Sequence, residues 1–579
     1  MSADGGARVA DVLRAQGVRW LFTLCGGHIS PILVQAKQRG IRVVDVRDEA
    51  NAVFAADAVA RLTGVPGVAA VTAGPGVTNT LTALKNAELA QSPLVLLGGA
   101  AATMLDGRGS LQDIDQEAAV AGLVKHCRRV RTVRELAPAV AQAFELALSG
   151  TPGPVFVECP IDLLYPEEVV RDWYGKSAGG KGLVASATRL YIQRHLDKIF
   201  AKPDAGQPAL DRPVEVAPRE PLGPLVGRAA SLLAAAERPV LLVGSQALCR
   251  PQQAPAVAEA VERLGVPTFL AGMARGLLGP GAPLQLRHAR RRALKEADLV
   301  VLAGVPCDFR LDYGRSIGRQ ATVVEVNLSK RELLRNRVPA LPVPADPGLF
   351  LRRLAERAAA PRPAWGAWFE ALRARDAERN AEIAAMAREE APPVNPLAAC
   401  QAIDRVAGPD TVWVVDGGDF VATASYVVEQ RGPLAWLDPG VFGTLGVGAG
   451  FALAAKLVRP ESEVWLLYGD GAAGFSLIEL DTFARHGLGI VAVIGNDGGW
   501  AQIARDQVAL LGDEVGTVLA RTAYHTVADG LGGRGFLVEG PDQLEPALRA
   551  AQQAAREGVP ALVNVHVGRS DFRAGSISM

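Results

Sequence analysis

The sequence predicts an α/β protein built from three doubly wound parallel-sheet domains. Short runs rich in Val, Leu and Ile alternate with helix-like segments three times along the 579 residues. Such runs are typical of parallel strands that helices bury on both faces. The length fits about three or four domains of ordinary size. Glycine (62 residues) and proline (38 residues) are scattered, which favours many strand-to-helix turns over low-complexity sequence.

The strands are predicted in three regions, taken here in chain order. Residues 1–170 contain runs at 20–24, 43–46, 68–72, 94–98 and 155–158. Residues 223–360 contain runs at 240–244, 268–271, 299–304 and 322–327, and residues 396–579 contain runs at 411–415, 464–467, 489–494 and 561–567. Helices are predicted between them, for example at 49–62, 77–91 and 476–485. Residues 171–222 interrupt the alternation and predict a connector or insertion, and residues 361–395 predict a connecting helix.

Composition excludes several functional classes. Lys+Arg and Asp+Glu are both 61, so the formal net charge is zero, which argues against nucleic acid as a partner of the whole chain. Six cysteines without a CxxC pair do not indicate a disulfide framework. The polar start and the lack of a long apolar segment predict a cytoplasmic protein without a membrane anchor. The apolar stretch at 93–105 is too short for a membrane span and predicts a buried strand.

Two acidic residues follow neighbouring predicted strands in the third region. Asp470 lies in the sequence Tyr-Gly-Asp-Gly after strand 464–467, and Asp497 lies in Gly-Asn-Asp-Gly-Gly after strand 489–494. Both would lie at the carboxyl ends of parallel strands, where α/β sheets bind ligands. Hard oxygen ligands suit Mg²⁺, which completes its octahedron with phosphate oxygens and water. The glycines would let backbone N–H groups approach a diphosphate.

A dinucleotide site is the alternative interpretation of the same segment, because residues 469–474 also satisfy GxGxxG after a strand. No clear ribose-binding acid follows about 20 residues later. A dinucleotide site also leaves unexplained the second oxygen-rich turn, the one that contains Asp497. The metal–diphosphate site is therefore favoured.

These motifs resemble those of thiamine diphosphate (ThDP) enzymes, in which a GDG turn is followed by an NN turn. Asp497 replaces the second Asn, which keeps a hard metal ligand and adds a negative charge. The resemblance implies Mg²⁺ held by Asp470, Asp497 and the carbonyl of Gly499. It also implies cofactor contacts from Gly26, Thr72, Gly74, Asn79, Gly418, Asp419, Phe420, Gly443, Leu445, Gly469, Gly471, Ala472, Ala473 and Trp500.

ThDP chemistry needs a carboxylate that hydrogen-bonds the pyrimidine ring. Glu49 follows a predicted strand and opens an Ala-rich helix; by itself it fits better as a first-turn acid that complements the helix dipole. The stretch 47–58 resembles the pyrimidine-domain motif, which implies that Glu49 is the activating acid. By the same resemblance the Gly443 carbonyl accepts from the 4′-amino group, and Leu445 supports the bent cofactor. A plain core residue is the alternative for Leu445.

The order of the three regions resembles that of pyrimidine, middle and pyrophosphate domains in the acetolactate synthase branch. Within it, the chain is similar to the 2-hydroxyacyl-CoA lyases. His28 would relay the proton of the substrate 2-hydroxyl, and Gln112 would approach the bound donor. A helix-capping His and a solvent-facing Gln are the alternatives. The resemblance implies cleavage of a 2-hydroxyacyl-CoA to an aldehyde and formyl-CoA, or the reverse acyloin condensation. A true acetolactate synthase, which condenses two 2-keto acids, is the alternative.

The resemblance further implies a homodimer or homotetramer with active sites at the subunit interface. It implies an acyl-CoA or a small 2-keto or 2-hydroxy substrate, and a middle domain that binds ADP, FAD or nothing. Arg275, Arg310 and Arg315 are candidates for CoA phosphates, although each also fits an ordinary surface arginine. The tail at 569–579 is expected to close over the site or to be disordered. A non-catalytic relative would carry broken motifs, whereas Glu49, Gly443 and Asp470 are all present.

Overall fold

A computed structural model describes residues 4–177, 182–201 and 212–574. The chain divides into two compact units, Met1–Val216 and Ala217–Met579. The first unit contains one six-stranded sheet and the second contains two. All strand pairs within these sheets are parallel. The prediction of three parallel-sheet α/β domains is therefore confirmed.

The sheet of the first unit has the strand order β2-β1-β3-β4-β6-β5. Its strands are β1 (Trp20–Thr23), β2 (Arg42–Asp45), β3 (Gly67–Val71), β4 (Leu94–Ala100), β5 (His126–Arg129) and β6 (Pro154–Pro160). Its helices are α1 (Gly5–Ala15), α2 (Ser30–Gln38), α3 (Glu49–Thr63), α4 (Pro75–Thr78), α5 (Leu81–Ala90), α6 (Gln116–Val120), α7 (Val133–Leu148), α8 (Ile161–Leu164), α9 (Glu167–Ser177) and α10 (Leu183–Ile199). The four central strands are completely buried because helices cover both faces of the sheet.

Part of the segment 171–222 is helical. Helix α10 buries Ile192, Leu196 and Ile199 in the same apolar core as α1, α2 and α7. His195 of α10 also reaches Thr103, its Nε2 atom lying 2.8 Å from the Thr103 Oγ1 atom. This helix therefore packs onto the first domain as part of its core.

The middle domain has the strand order β12-β11-β10-β7-β8-β9. Its strands are β7 (Pro239–Val243), β8 (Thr268–Leu270), β9 (Gln285–Leu286), β10 (Leu299–Ala303), β11 (Thr322–Val326) and β12 (Leu341–Val343). Its helices are α11 (Gly223–Ala235), α12 (Ala254–Leu264), α13 (Arg290–Glu296), α14 (Lys330–Leu333), α15 (Pro347–Arg357) and α16 (Trp365–Met386). The long helix α16 packs on this domain, with the indole N–H groups of Trp365 and Trp368 donating to backbone carbonyls at 2.9 and 3.1 Å.

The third sheet has the order β14-β13-β15-β16-β18-β17, which repeats the relative order of the first. Its strands are β13 (Val412–Asp416), β14 (Trp436–Leu437), β15 (Val464–Gly469), β16 (Val491–Asn496), β17 (Arg534–Val538) and β18 (Ala561–His566). Its helices are α17 (Pro396–Val406), α18 (Asp419–Val427), α19 (Val447–Val458), α20 (Asp470–Ser476), α21 (Leu480–His486), α22 (Ala501–Leu511), α23 (Tyr524–Gly530) and α24 (Pro541–Arg556). The connections reverse direction between β13 and β15, so a ligand crevice is expected at their carboxyl ends.

Three smaller predictions can be compared with the structure. The apolar stretch at 93–105 contains β4 and is a strand, as predicted. No helix in the described ranges combines the length and apolarity needed to cross a membrane. In the tail, Phe572 is buried against Tyr426, with ring centroids 5.6 Å apart, whereas residues 575–579 lie outside the described residues.

Candidate active site

Glu49 is a buried acid at the first position of α3. Asp48 caps this helix, its side chain accepting from the Ala50 N–H at 2.7 Å. The Glu49 side chain is largely withdrawn from solvent, since the residue is only 6% exposed. Its Oε2 atom accepts from the Asn79 Nδ2 atom at 3.0 Å. Its Oε1 atom lies 3.6 Å from the position that a Cβ would take at Gly76. The carboxylate is therefore held by one amide and faces the turn after β3.

His28 lies on the loop between β1 and α2, and its Nδ1 atom is 3.0 Å from the Thr72 Oγ1 atom. Two glycines permit this approach. A Cβ at Gly99 would lie 2.5 Å from the His28 Cβ, and a Cβ at Gly26 would lie 2.4 Å from the Thr72 Cβ. Burial lowers the pKa of His28, so its imidazole is neutral at pH 7 and can accept a proton.

The loop that carries Gln112 packs against the Gly74 turn. Both residues have positive φ, 64° at Gln112 and 59° at Gly74, and a Cβ at Gly74 would lie 2.6 Å from the Gln112 carbonyl oxygen. Gln116 holds this turn: its Oε1 atom accepts from the Gly74 N–H at 2.9 Å, and its Nε2 donates to the Gly99 carbonyl at 3.0 Å. The sequence did not single out Gln116, because a polar residue at a helix start gives no signal of burial.

The two acids predicted as metal ligands lie together at the carboxyl ends of β15 and β16. Asp470 accepts from the Gly471 N–H at 2.8 Å through Oδ1, and from the N–H groups of Gly498 and Gly499 at 2.9 and 3.0 Å through Oδ2. Asp497 accepts from the Gly499 N–H at 3.2 Å. Asp470 and Gly499 therefore connect the two strand ends.

Negative charge is concentrated where Asp470 and Asp497 meet at the carboxyl ends of β15 and β16. Burial and the neighbouring Asp470 charge raise the pKa of Asp497 to about 7, and burial raises the pKa of Asp470. A divalent cation would relieve that repulsion, and carboxylate oxygens are ligands that Mg²⁺ prefers. In the described part of the chain no group of three His, Cys, Asp or Glu side chains could hold a metal. A metal here would depend on two carboxylates with main-chain and ligand oxygens.

Glycines let the ends of β13 and β15 approach closely. Gly417 has a φ of 130°, and a Cβ there would lie 2.9 Å from the Gly469 backbone nitrogen. Gly418 precedes α18 directly. A Cβ at Gly471 would lie 2.5 Å from the Trp500 ring, so the indole covers the start of α20. Backbone N–H groups are thereby presented at the sheet edge where a diphosphate would bind.

The remaining predicted residues of this half-site differ in accessibility. Asp419 begins α18 and forms an ion pair with Arg505. Phe420 is 6% exposed, and a Cβ at Gly495 would lie 2.2 Å from its ring, so its side chain belongs to the domain core. Two further predicted contacts are buried alanines of α20: Ala472 and Ala473.

The loop before α19 carries Gly443 and Leu445. Gly443 is exposed with a φ of 64°, and Leu445 is half-buried. Asp416 anchors this loop, its Oδ2 atom accepting from the N–H groups of Gly446 and Gly448 at 3.0 and 2.9 Å. Burial raises the pKa of Asp416 to about 7. Asp416, the last residue of β13, therefore positions the loop that is predicted to support the cofactor.

The three arginines suggested for CoA phosphates have different surroundings. Arg275 is half-buried with its guanidinium 5.0 Å from the centre of the Trp436 ring, and desolvation of that group lowers its pKa. Arg310 and Arg315 each pair with an aspartate a few residues away in their own loop, at 2.7 and 2.6 Å. Arg275 therefore supports the packing of the middle domain on the third, whereas Arg315, with 71% of its side chain exposed, is open to solvent.

Family models match three parts of the chain. The N-terminal TPP binding domain of thiamine pyrophosphate enzymes matches residues 3–119, the central domain matches 226–354, and the C-terminal TPP binding domain matches 416–565. Thiamine pyrophosphate is ThDP under its other name. Each match overlaps one of the three parallel sheets, and together they confirm ThDP as the cofactor that the motifs imply.

Curated relatives match almost the whole length. The chain is 50% identical to 2-hydroxyacyl-CoA lyase 2 of Danio rerio over 582 residues, covering 99% of this chain and 93% of the relative. It is 50% identical to the Homo sapiens protein of the same name, covering 99% and 92%. Acetolactate synthase large subunit IlvG of Mycobacterium tuberculosis is 35% identical, covering 97% and 95%. The chain therefore belongs to the family of thiamine pyrophosphate enzymes that includes 2-hydroxyacyl-CoA lyase 2.

Proposed function

We propose that this protein is a ThDP-dependent carbon–carbon lyase. It cleaves a 2-hydroxyacyl-CoA to an aldehyde and formyl-CoA, and catalyses the reverse acyloin condensation. The observation that carries the proposal is the grouping of Glu49, Thr72 and His28 around one turn. A Cβ at Gly76 would lie 2.8 Å from the Thr72 Cγ2 and 3.6 Å from the Glu49 Oε1, while Thr72 also contacts His28. A buried acid and a neutral imidazole thus border the same glycine turn.

ThDP, when bound, would supply a nucleophilic carbon for the thioester carbonyl and an acceptor for the charge left when the C1–C2 bond breaks. Glu49 would hydrogen-bond the pyrimidine nitrogen and exchange a proton with it, while Asn79 keeps the carboxylate in one orientation. His28, neutral at pH 7, takes the proton of the substrate 2-hydroxyl as the aldehyde forms. That proton returns to the formyl carbon. Gln112 lies beside Gly74 and approaches the donor.

Residues of the third domain hold the diphosphate end. Asp470, Asp497 and the Gly499 carbonyl would bind Mg²⁺, a role supported by the burial of Asp497 and its repulsion by Asp470, which together raise the pKa of Asp497. The glycines at the ends of β13 and β15 present backbone N–H groups to phosphate oxygens. The other proposed contacts in this half-site are Asp419, Phe420 (through its main chain, since its side chain lies in the core), Gly443, Leu445, Ala472, Ala473 and Trp500.

We extend the proposal to the domain boundaries of the chain and to its oligomeric assembly. We assign residues 1–170 to the pyrimidine domain, 171–222 to a connector or insertion, 223–360 to the middle domain, 361–395 to a connecting helix and 396–579 to the pyrophosphate domain. The family matches fall inside the three domains. A homodimer or homotetramer, in which each active site combines half-sites from two subunits, and a cytoplasmic location complete the proposal.

Incubating the purified protein with ThDP, Mg²⁺ and a 2-hydroxyacyl-CoA tests the reaction. Aldehyde and formyl-CoA should appear in equal amounts, and omission of ThDP should abolish both. Lack of C1–C2 bond cleavage in 2-hydroxyacyl-CoA substrates across a range of acyl chain lengths would contradict the proposal.

Acetolactate synthase is the second candidate, favoured by the 35% identity with the Mycobacterium tuberculosis protein. A parallel incubation with pyruvate distinguishes the two. Acetolactate formed from pyruvate, without cleavage of the 2-hydroxyacyl-CoA to aldehyde and formyl-CoA, would establish the synthase.

A further inference from the structure

The middle domain has the topology of a nucleotide-binding sheet. Its connections reverse direction between β7 and β10, and such sheets bind ADP or a dinucleotide in the crevice at that reversal. Binding requires glycines after the first strand, because the main chain must approach the diphosphate closely. After β7 the chain reads Gly-Ser-Gln-Ala-Leu-Cys at 244–249, so only the first of the three fingerprint glycines is present.

Gln246 occupies the position of the second glycine, and its side chain crosses the crevice. Gln246 is 7% exposed; its Nε2 donates to the Asn327 Oδ1 at 3.0 Å, and its Oε1 accepts from the Leu328 N–H at 2.7 Å. A Cβ at Gly304 would lie 2.8 Å from the Gln246 Cβ. Because β10 lies between β7 and β11, the glutamine spans the end of the intervening strand.

Ser245 closes the other side of the crevice. Its Oγ accepts from the Met273 N–H at 3.1 Å, and a Cβ at Gly272 would lie 2.3 Å from that oxygen. A Cβ at Gly244 would lie 2.6 Å from the Gly304 carbonyl oxygen. Two adjacent side chains therefore join the loop after β7 to the loops on both sides of it.

The start of α15 lies on the same loop. Asp346 caps this helix by accepting from the Leu349 N–H at 3.0 Å. A Cβ at Gly348 would lie 2.5 Å from the Ala247 carbonyl oxygen. The N-terminus of α15 therefore covers the loop after β7, the loop from which the Gln246 side chain extends across the crevice.

We propose that the middle domain binds neither ADP nor FAD, because Gln246 fills the space that a diphosphate would require there and already accepts from the Leu328 N–H. A nucleotide would have to displace this buried side chain and break its hydrogen bonds to the Asn327 Oδ1 and the Leu328 N–H. A phosphate oxygen can replace the glutamine at the Leu328 N–H but not at the Asn327 Oδ1, which is itself an acceptor, so the exchange loses a buried hydrogen bond and opposes binding. The middle domain then has a structural role, with its loops braced by the protein's own side chains.

The nucleotide content of the wild-type protein tests this directly. The full-length protein is purified without added nucleotide, denatured with acid, and the supernatant is analysed by chromatography and absorbance. We expect neither ADP nor FAD above a trace. Thermal unfolding is then followed while ADP or FAD is titrated in the presence of saturating ThDP, Mg²⁺ and CoA, so that the catalytic and substrate sites are occupied. We expect no saturable shift. Nucleotide released in near-stoichiometric amount, or a saturable shift, would overturn the proposal.

A pair of variants tests the role of Gln246. Gln246→Ala should lower the melting temperature by about 2–4 °C, because it removes hydrogen bonds between buried groups. The exposed Gln320 provides the control, and Gln320→Ala should leave the melting temperature unchanged. Equal melting temperatures for both variants and the wild type would refute the bracing role. The wild-type nucleotide analysis remains decisive if Gln246→Ala does not fold.

Discussion

The Asn79 amide donates to the Glu49 carboxylate at 3.0 Å and so joins the start of α3 to the turn that follows β3. The bond engages Oε2, while Oε1 faces Gly76. The two elements follow β2 and β3, which lie on either side of β1, and the connections of the first sheet reverse direction between β1 and β3. An acid that sequence position alone assigns to a helix dipole is thereby directed at the crevice where such sheets bind ligands.

Replacing Glu49 with Gln should remove the proton exchange that activates the cofactor. We expect a loss of turnover of about 10²–10⁴-fold, the usual contribution of a positioned acid or base. Hydrogen–deuterium exchange at the C2 carbon of bound ThDP, followed by NMR, measures the step directly. The exposed Glu168 of α9 gives the matched control, and Glu168→Gln should exchange at the wild-type rate. Exchange that persists in Glu49→Gln would assign the activating acid elsewhere.

Replacing His28 with Ala should abolish lyase turnover while ThDP remains bound. Burial lowers the pKa of His28 below its ordinary value of 6.5, so the neutral base predominates at pH 7 and activity should fall as the pH drops through that lowered pKa. Profiles of kcat/KM against pH measure the loss of proton transfer, and fluorescence titration with ThDP measures whether the cofactor still binds. His126→Ala, at an exposed position of β5, is the control. Unchanged turnover in His28→Ala would leave His28 with a structural role only.

Replacing Asp497 with Asn should weaken Mg²⁺ binding and stabilise the metal-free protein. The substitution removes one carboxylate from a cation site and also removes its repulsion with Asp470, so the two effects have opposite signs. We expect an Mg²⁺ affinity about tenfold lower in the presence of ThDP, and a higher melting temperature in EDTA. Asp542→Asn removes the same charge at an exposed site and should change neither. A melting temperature in EDTA that falls in Asp497→Asn would refute the repulsion.

Replacing Glu325 with Gln should stabilise the fold above pH 5. Glu325 of β11 is completely buried, and neither carboxylate oxygen has a hydrogen-bond partner among the described residues. Burial, with the nearby charges of Glu332 and Asp308, raises the pKa of Glu325 to about 9. In the unfolded chain the pKa of a Glu side chain is about 4.3. Between that pKa and the raised pKa of the folded protein, unfolding releases a proton. The free energy of unfolding therefore falls by at most about 1.4 kcal/mol for each unit by which the pH rises.

Melting temperatures from pH 5 to pH 9 test the sign of this effect. The wild type should lose stability more steeply than Glu325→Gln as the pH rises. Glu259→Gln, an exposed substitution in the same domain, should follow the wild-type curve. Identical slopes for Glu325→Gln and the wild type would show that Glu325 is ionised in the folded protein.

The interior strands of all three sheets were predictable because they are continuous apolar runs. Five strands were missed, namely β5, β9, β12, β14 and β17, and all lie at sheet edges. An edge strand is paired on one side only, and these are either two or three residues long or partly exposed, as the alternating burial of β5 illustrates. Their sequences therefore lack the apolar run that identifies an interior strand.

In the candidate site, too, local sequence motifs identified some residues, whereas only the fold revealed the contacts of others. The sequence by itself determined that the chain belongs to the ThDP family. It also identified Asp470 and Asp497 as candidate metal ligands, because both lie in short local motifs directly after apolar strands. Only the tertiary structure decided that Gln116 holds the Gly74 turn, that Phe420 belongs to the core, and that Gln246 crosses the middle-domain crevice to Asn327. These contacts join residues far apart in the chain, so they depend on which strand ends the sheet order brings together.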